Sequence, residues 1–171
     1  MEFEIGRKLI EDAIDQTRPQ VWADLGAGSG FFTKILDSLL AHESLIYAID
    51  HDQKVKSILG ERISVKPIVA DIVSPPNDLE MLDGIMLANA LHYVEDKISF
   101  LEVWSRRLND DGFFLIVEYD TEEANQWVPY PVSFESLHAL GKKLDAEVIL
   151  INTTPSVYHA GGIYSSIFRK K

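Results

Sequence analysis

The sequence predicts a mostly parallel α/β sheet with helices on both faces. Three observations carry this. Strand-like apolar runs alternate with helical periodicity along most of the 171 residues. The run Phe113 to Tyr119 is too apolar for a strand with one wet face. A strand ending near Leu25 opens into Gly26-Ala27-Gly28-Ser29-Gly30, which leads at once into a helix.

Each element follows from local pattern. Ile5, Leu9, Ala13 and Ile14 recur at helical spacing over residues 3–16, and Arg18-Pro19 ends that helix. A first strand is placed at 20–25. A helix at 30–40 carries Phe31, Phe32, Ile35, Leu36, Leu39 and Leu40 on one face. Leu45 to Ile49 is the second strand, followed by a helix at 52–59, and Ile63 to Ala70 is the third. Ser74-Pro75-Pro76-Asn77 breaks the pattern and leaves space for one short helical turn before strand four, Gly84 to Ala88. Val94, Ile98, Leu101, Trp104 and Leu108 mark an amphipathic helix. Asn109-Asp110-Asp111-Gly112 is turn chemistry ahead of strand five. A helix at 133–143 and an antiparallel pair at 146–151 and 162–168 complete the chain.

Composition narrows the function. Hydrophobic residues make up 46% and charged residues 25%, the balance of a soluble globular domain. The length fits one domain over residues 1–171. With no cysteine there is no disulfide framework, thiolate metal site or cysteine nucleophile, and a cytoplasmic location is the expectation. The net charge of −11 repels a phosphate backbone, so nucleic acid is disfavoured as a partner. Arg106, Arg107, Arg169, Lys170 and Lys171 read as a solvated helix end and tail. The opening Met1-Glu2-Phe3-Glu4 lacks the basic region and apolar core of a signal peptide. No apolar run approaches the roughly 18–20 residues that span a bilayer.

The glycine loop points to a nucleotide-like ligand. Its glycines let backbone approach a ligand closely, and the following helix aims free N–H groups into the loop. The dinucleotide pattern G-x-G-x-x-G fits poorly, because the third glycine comes one residue early and Phe31 stands where Gly or Ala is needed. No Gly-Lys-Ser/Thr follows, which excludes a P-loop. Asp24, two residues before the first glycine, would repel a diphosphate but suits a cationic ammonium.

At Asp24-Leu25-Gly26-Ala27-Gly28-Ser29-Gly30 the chain resembles motif I of the class I S-adenosylmethionine (SAM) dependent methyltransferases. The resemblance continues through four ordered motifs, roughly from Val21 to Arg169. It implies a Rossmann-like three-layer sandwich with a seven-stranded sheet in the order 3-2-1-4-5-7-6, the last strand antiparallel. It also implies SAM as methyl donor, S-adenosylhomocysteine as product, and no metal. We find no metal-ligand spacing in the sequence either.

Ligands of open α/β sheets bind beyond the carboxyl ends of the strands, so polar residues there are the candidates. By resemblance, Asp24 orients the loop and meets the methionine ammonium, directly or through water. The resemblance also makes Gly26, Ala27, Gly28 and Gly30 cofactor-binding residues, the first three lining the sulfonium side. Asp50 ends strand two and can accept both hydroxyls of a ribose; its structural alternative is a helix N-cap, which Asp52 could also supply. The ribose diol belongs to NAD as well as SAM, so Asp50 alone does not separate them. His51 maps beside the adenine. Asp71 can accept from the adenine amino group and the Ile72 N–H can serve a ring nitrogen; the alternative for Asp71 is an Asx-turn. Asn89, at the end of strand four, is expected to touch the cofactor.

His92 follows strand four and is a candidate general base, with cofactor contact or helix capping as alternatives. Tyr119, at the end of strand five, is a second catalytic candidate. His92, Tyr93, Trp127 and Tyr130 are the candidate substrate pocket, the last two in a proline-stiffened loop that could instead close the core. The helix at 1–18, with Phe3 and Arg7, is a candidate lid or a plain packing helix.

The expected activity is in-line methyl transfer to a small-molecule acceptor, with a protein acceptor as an open alternative. A homo-oligomer or partner subunit is a further option. The competing readings are a non-catalytic SAM-binding subunit or sensor and, on weaker grounds, an NAD-dependent oxidoreductase.

Overall fold

Alternation of side chains along the central strands builds two cores back to back. In a computed structural model describing residues 1–156, 158 and 161–171, β1 is Val21–Leu25. Its Ala23 and Leu25 face one side and Trp22 the other. The remaining strands are β2 (Leu45–Asp50), β3 (Ser64–Val69), β4 (Leu82–Ala88), β5 (Leu108–Tyr119), β6 (Ala146–Thr154) and β7 (Ile163–Lys170). They form one seven-stranded sheet in the order β3-β2-β1-β4-β5-β7-β6. The five strands β1 to β5 pair in parallel, and β7 runs antiparallel to both β5 and β6.

Helices cover both faces. The helices α1 (Phe3–Ile10) and α2 (Phe31–Leu39) place Leu9, Ile10, Ile35 and Leu36 in one core with Trp22, Met86 and Leu115. The helices α3 (Lys97–Ser105) and α4 (Phe134–Lys143) place Leu101, Trp104 and Leu137 in the other with Leu87, Ile116 and Tyr164. Side-chain caps start both: Asp96 accepts from the Ser99 N–H at 3.0 Å, and Ser133 from the Ser136 N–H at 3.0 Å. The outer strand β3 carries Pro67, which cannot donate to a further strand and blunts that edge.

Local boundaries depart from the sequence reading where polar residues compete for the backbone. The helix expected over 3–16 ends at Ile10 and continues as a 3-10 turn to Ala13; Asp15 instead accepts from the Thr17 N–H at 2.9 Å. The segment expected as a helix over 52–59 is a 3-10 turn, Gln53–Ser57, capped by Asp52. No helical turn forms between β3 and β4. The helix expected from Val94 starts at the Asp96 cap, after a 3-10 turn at Leu91–Tyr93. The predicted turn at 109–112 lies within β5 as an insertion, where pairing with β4 jumps from Leu108 to Phe113. Val157, His159 and Ala160, in the connection expected between the last strands, lie outside the described residues.

Two contacts show how tightly the layers close. Asp37 of α2 receives the backbone N–H groups of Glu61, Arg62 and Ile63 at 2.9–3.3 Å and ties the approach to β3 onto the helix. A Cβ on Gly84 would stand 2.4 Å from two ring carbons of Trp22, in the middle of the sheet. Gly84→Ala is therefore expected to cost about 1–3 kcal/mol, read as a lowered urea midpoint with an unchanged slope. An unshifted midpoint would mean that Trp22 can move aside.

The helix α1 docks on α2 and on the β6–β7 edge. Gly6 packs against Phe31 and Ile35, Asn152 donates to the Lys8 carbonyl at 2.9 Å, and the Ser165 hydroxyl donates to the Leu9 carbonyl. Arg7 pairs with Glu11 at 3.0 Å, and Phe3 is partly exposed. Among the described residues, no helix is long and apolar enough to cross a membrane.

Candidate active site

The carboxyl ends of β1, β2, β3 and β4 converge on one cleft. Crossing from β1 to α2 requires backbone that L-residues rarely adopt, and Gly26 and Gly28 supply it at φ of +75° and +54°. A Cβ on Gly28 would meet nothing nearer than the Gly26 carbonyl at 4.0 Å, so the loop offers bare backbone to a ligand. Gly30 has a different role. A Cβ there would strike Ile58 at 2.9 Å, so its absence lets the start of α2 pack against the segment after β2. Ala27 packs inward with Ala48, Val55 and Ile58.

Asp50 organises the loop. One carboxylate oxygen accepts from the Gly28 N–H at 2.8 Å and the other from the Asp52 N–H at 2.8 Å. Each oxygen keeps a lone pair for a hydroxyl donor. Helix capping falls to Asp52, which accepts from the Lys54 N–H. His51 is exposed at the rim, with Nδ1 3.4 Å from Asp50.

Asp24 lies behind the loop rather than on the cleft wall. It is 2% exposed and accepts from the Thr33 hydroxyl at 2.5 Å. Burial pushes its pKa up to about 6, and the nearby charge of Asp50 adds to the shift against the Thr33 bond.

At the end of β3, Asp71 accepts from the Val73 N–H at 2.9 Å, the Asx-turn. It nonetheless lines the cleft together with Ile72. The Ile72 carbonyl is held by the Trp104 indole at 2.8 Å.

Asn89 ends β4 in the left-handed region, at φ +50°, and its N–H donates to the Val117 carbonyl. Its Oδ1 is buried without a hydrogen-bond partner. Asn tolerates this backbone region better than most L-residues, and here it carries an unpartnered acceptor where it lines the cleft.

Two cavities meet at Asn89 and Tyr93. The first, of about 310 Å³, is walled by Gly26, Asp50, His51, Asp71 and Ile72. The second, of about 420 Å³, is walled by His92, Tyr119, Asn125, Trp127, Val128 and Tyr158. Both fall within the small-molecule range of about 300–1,000 Å³.

His92, which lines the second cavity, belongs to a buried pair that no sequence motif announced. His92 and Glu118 are 2% and 1% exposed. The His92 Nδ1 lies 2.6 Å from one Glu118 oxygen, and the other accepts the His92 backbone N–H at 3.2 Å. Tyr93 and Tyr119 flank the imidazole, with centroids 4.4 Å and 6.3 Å away. Burial, with the charges of Tyr158, Glu118 and Tyr93, raises the Tyr119 hydroxyl above its ordinary pKa of 10.0 and keeps it protonated. A signal for Glu118 existed: it is the one carboxylate in the apolar run from Phe113 to Tyr119, and a buried charge needs a partner.

The aromatic loop is tied down by backbone bonds. The Tyr130 N–H donates to the His92 carbonyl at 3.0 Å, and Asn125 bridges Val128. Lys97 donates to the carbonyls of Val94 and Tyr130 at 2.8 and 2.9 Å. Its half-buried setting lowers its pKa, against the pull of Glu118. The Tyr130 ring sits 5.7 Å from that ammonium and does not line the second cavity, whereas Trp127 does. Among the described residues, no group of three or more His, Cys, Asp or Glu could hold a metal ion.

Residues 23–116 match the family described as methyltransferase domain. No functionally curated protein matches the chain. Solved structures share the fold at low identity. A SAM dependent methyltransferase from Aquifex aeolicus is 13% identical with a TM-score of 0.68, over 98% of each chain. The Burkholderia thailandensis 1,6-didemethyltoxoflavin-N1-methyltransferase, solved with 1,6-didemethyltoxoflavin and S-adenosylhomocysteine, is 16% identical with a TM-score of 0.69, over 99% of this chain and 78% of that one. A complex between the Haloferax volcanii Trm112 methyltransferase activator and a methyltransferase matches at 15% identity and a TM-score of 0.72, over 93% of this chain and 86% of that one. The family match spans more than half of the sequence and the sheet order agrees: this chain belongs to the methyltransferase domain family and has the class I SAM-dependent methyltransferase fold.

Proposed function

We propose that this protein transfers a methyl group from SAM to a small-molecule acceptor. The observation that carries the reading is the pair of cavities meeting at Asn89 and Tyr93, one walled by strand-end acids and bare glycine backbone, the other by aromatic rings. The first cavity fits the cofactor by chemistry. Asp50 offers lone pairs to a ribose diol, Asp71 an acceptor to an exocyclic amine, and Gly28 close backbone approach. The orphaned Asn89 Oδ1 awaits a donor at the junction.

The cofactor, when bound, supplies a methyl carbon on a positively charged sulfur, so the leaving group is already activated. The protein's task is to align the acceptor at near-attack distance and to exclude water. Asp24 supplies a carboxylate for the cofactor's ammonium from behind the loop. The second cavity aligns the acceptor, and its tied-down aromatic loop shields the junction.

Titration calorimetry with SAM and S-adenosylhomocysteine, with NAD as control, tests this. The expected dissociation constant is on the order of micromolar, with binding lost in Asp50→Ala. NAD binding without SAM binding would overturn the reading in favour of an oxidoreductase. SAM binding without turnover on any acceptor would make the protein a SAM-binding subunit or sensor.

A further inference from the structure

We infer that the second cavity takes a planar aromatic acceptor without negative charge, bearing an ionisable O–H or N–H, whose proton passes to His92 held in place by Glu118. This rests on the reading of the first cavity as the methyl-donor site.

The walls select the class. Tyr93, Tyr119, Trp127 and Tyr158 line the cavity, and aromatic walls favour flat rings and cations. Asn89 and Asn125 supply amide groups that fix orientation. Among the described residues lining the cavity, none is Lys or Arg. The nearby Lys97 spends its ammonium on two backbone carbonyls. A carboxylate or phosphate would lose its hydration there with no cation to replace it.

The His–Glu pair gives the cavity a chemical direction. With Glu118 accepting from Nδ1–H, the Nε2 lone pair is left open. Glu118 also grips the His92 backbone N–H, so it fixes both ends of the residue. As the acceptor's lone pair bonds to the methyl carbon, the carbon–sulfur bond breaks and its electrons stay on sulfur. The acceptor's proton goes to Nε2, and the imidazolium keeps Nδ1–H on Glu118 until water takes the extra proton. His92 is the catalytic residue and Glu118 the positioning residue. Tyr119 is part of the cavity wall.

Two measurements without turnover test this. In the first, wild-type protein is titrated by calorimetry with 2-naphthol, 2-naphthylmethylamine and 2-naphthoate, with S-adenosylhomocysteine present. The alcohol and the amine are expected to bind about tenfold or more tighter than the carboxylate. Trp127→Ala should weaken the alcohol by about tenfold; Trp127 is 71% exposed, so its loss is tolerated by the fold. Equal or tighter binding of 2-naphthoate, or no binding of any probe, overturns the acceptor class. In the second, nitrogen NMR of labelled histidine identifies His92, one of five histidines, by the signal missing from His92→Gln. The Nδ1–H tautomer is expected, with Nε2 shifting on addition of 2-naphthol and the tautomer preference lost in Glu118→Gln. A protonated Nε2 in the neutral wild-type ring overturns the proton route. Binding of S-adenosylhomocysteine is scored separately, so failure of the donor site and failure of this inference are distinguishable.

Discussion

Asp24→Asn is expected to stabilise the protein at pH 7.5 by about 1–3 kcal/mol and to weaken SAM binding by about tenfold or more. The cause is the same in both. Asp24 is an almost fully buried carboxylate whose pKa has risen from 3.8 to about 6 through lost hydration and the neighbouring charge of Asp50. Its folded-state pKa lies above the unfolded value. Its stabilising contribution is therefore full below about pH 4 and is lost as the pH rises through about 6. Roughly two pKa units correspond to about 3 kcal/mol, which sets the upper end of the range.

Asparagine keeps an acceptor for the Thr33 hydroxyl and removes the charge. At about 2–4 °C per kcal/mol for a chain of this size, the gain is readable by calorimetry. The cost falls on binding, because the cofactor's ammonium loses the charge that would neutralise it. The same logic sets a pH dependence. SAM affinity should fall toward tenfold per pH unit below about pH 6, as protonated Asp24 stops attracting a cation. A flat affinity from pH 7.5 to 5, or a variant no more stable than wild type, would show that Asp24 is compensated in a way its surroundings do not reveal.

Substitutions at Asp50 are expected to be the most damaging to binding, and Asp50→Asn nearly as severe as Asp50→Ala. The carboxylate receives two backbone N–H groups, one per oxygen. An amide can satisfy one and must point its own N–H₂ at the other. Losing a hydrogen bond from a part-buried N–H to a charged carboxylate costs about 1.5–3 kcal/mol, so the loop is weakened even before the ribose contact is counted. The expected result is SAM affinity reduced by about a hundredfold or more in both variants. If Asp50→Asn bound SAM within a few-fold of wild type, Asp50 would be a loop staple and the ribose would be held elsewhere.

Much of the site was legible because its signals are local. A strand that ends in Asp24 and runs into closely spaced glycines specifies a turn within a few residues of itself. Asp50 and Asp71 became candidates by one rule, that ligands of an open α/β sheet bind beyond its strand ends, and both line the cleft. The structure brings Gly26, Asp50, His51, Asp71, Ile72 and Asn89 to one cleft and puts His92, Tyr93, Tyr119 and Trp127 on the adjoining one. It sets Gly30 under the loop against Ile58 and turns the Tyr130 ring onto Lys97. Periodicity identifies a helix or a loop but carries no information on which distant side chain fills a gap.

The sequence by itself determined the alternation of strands and helices, the glycine turn and the three acids at strand ends. Each depends on residues close along the chain. Only the tertiary structure decided that His92 meets Glu118, 26 positions away on the neighbouring strand β5, because parallel pairing joins residues across a whole helix and its connections. It also decided that α1 docks on α2 and the β6–β7 edge. The same holds for the burial that raises Asp24, since desolvation depends on all the layers that close around a carboxylate.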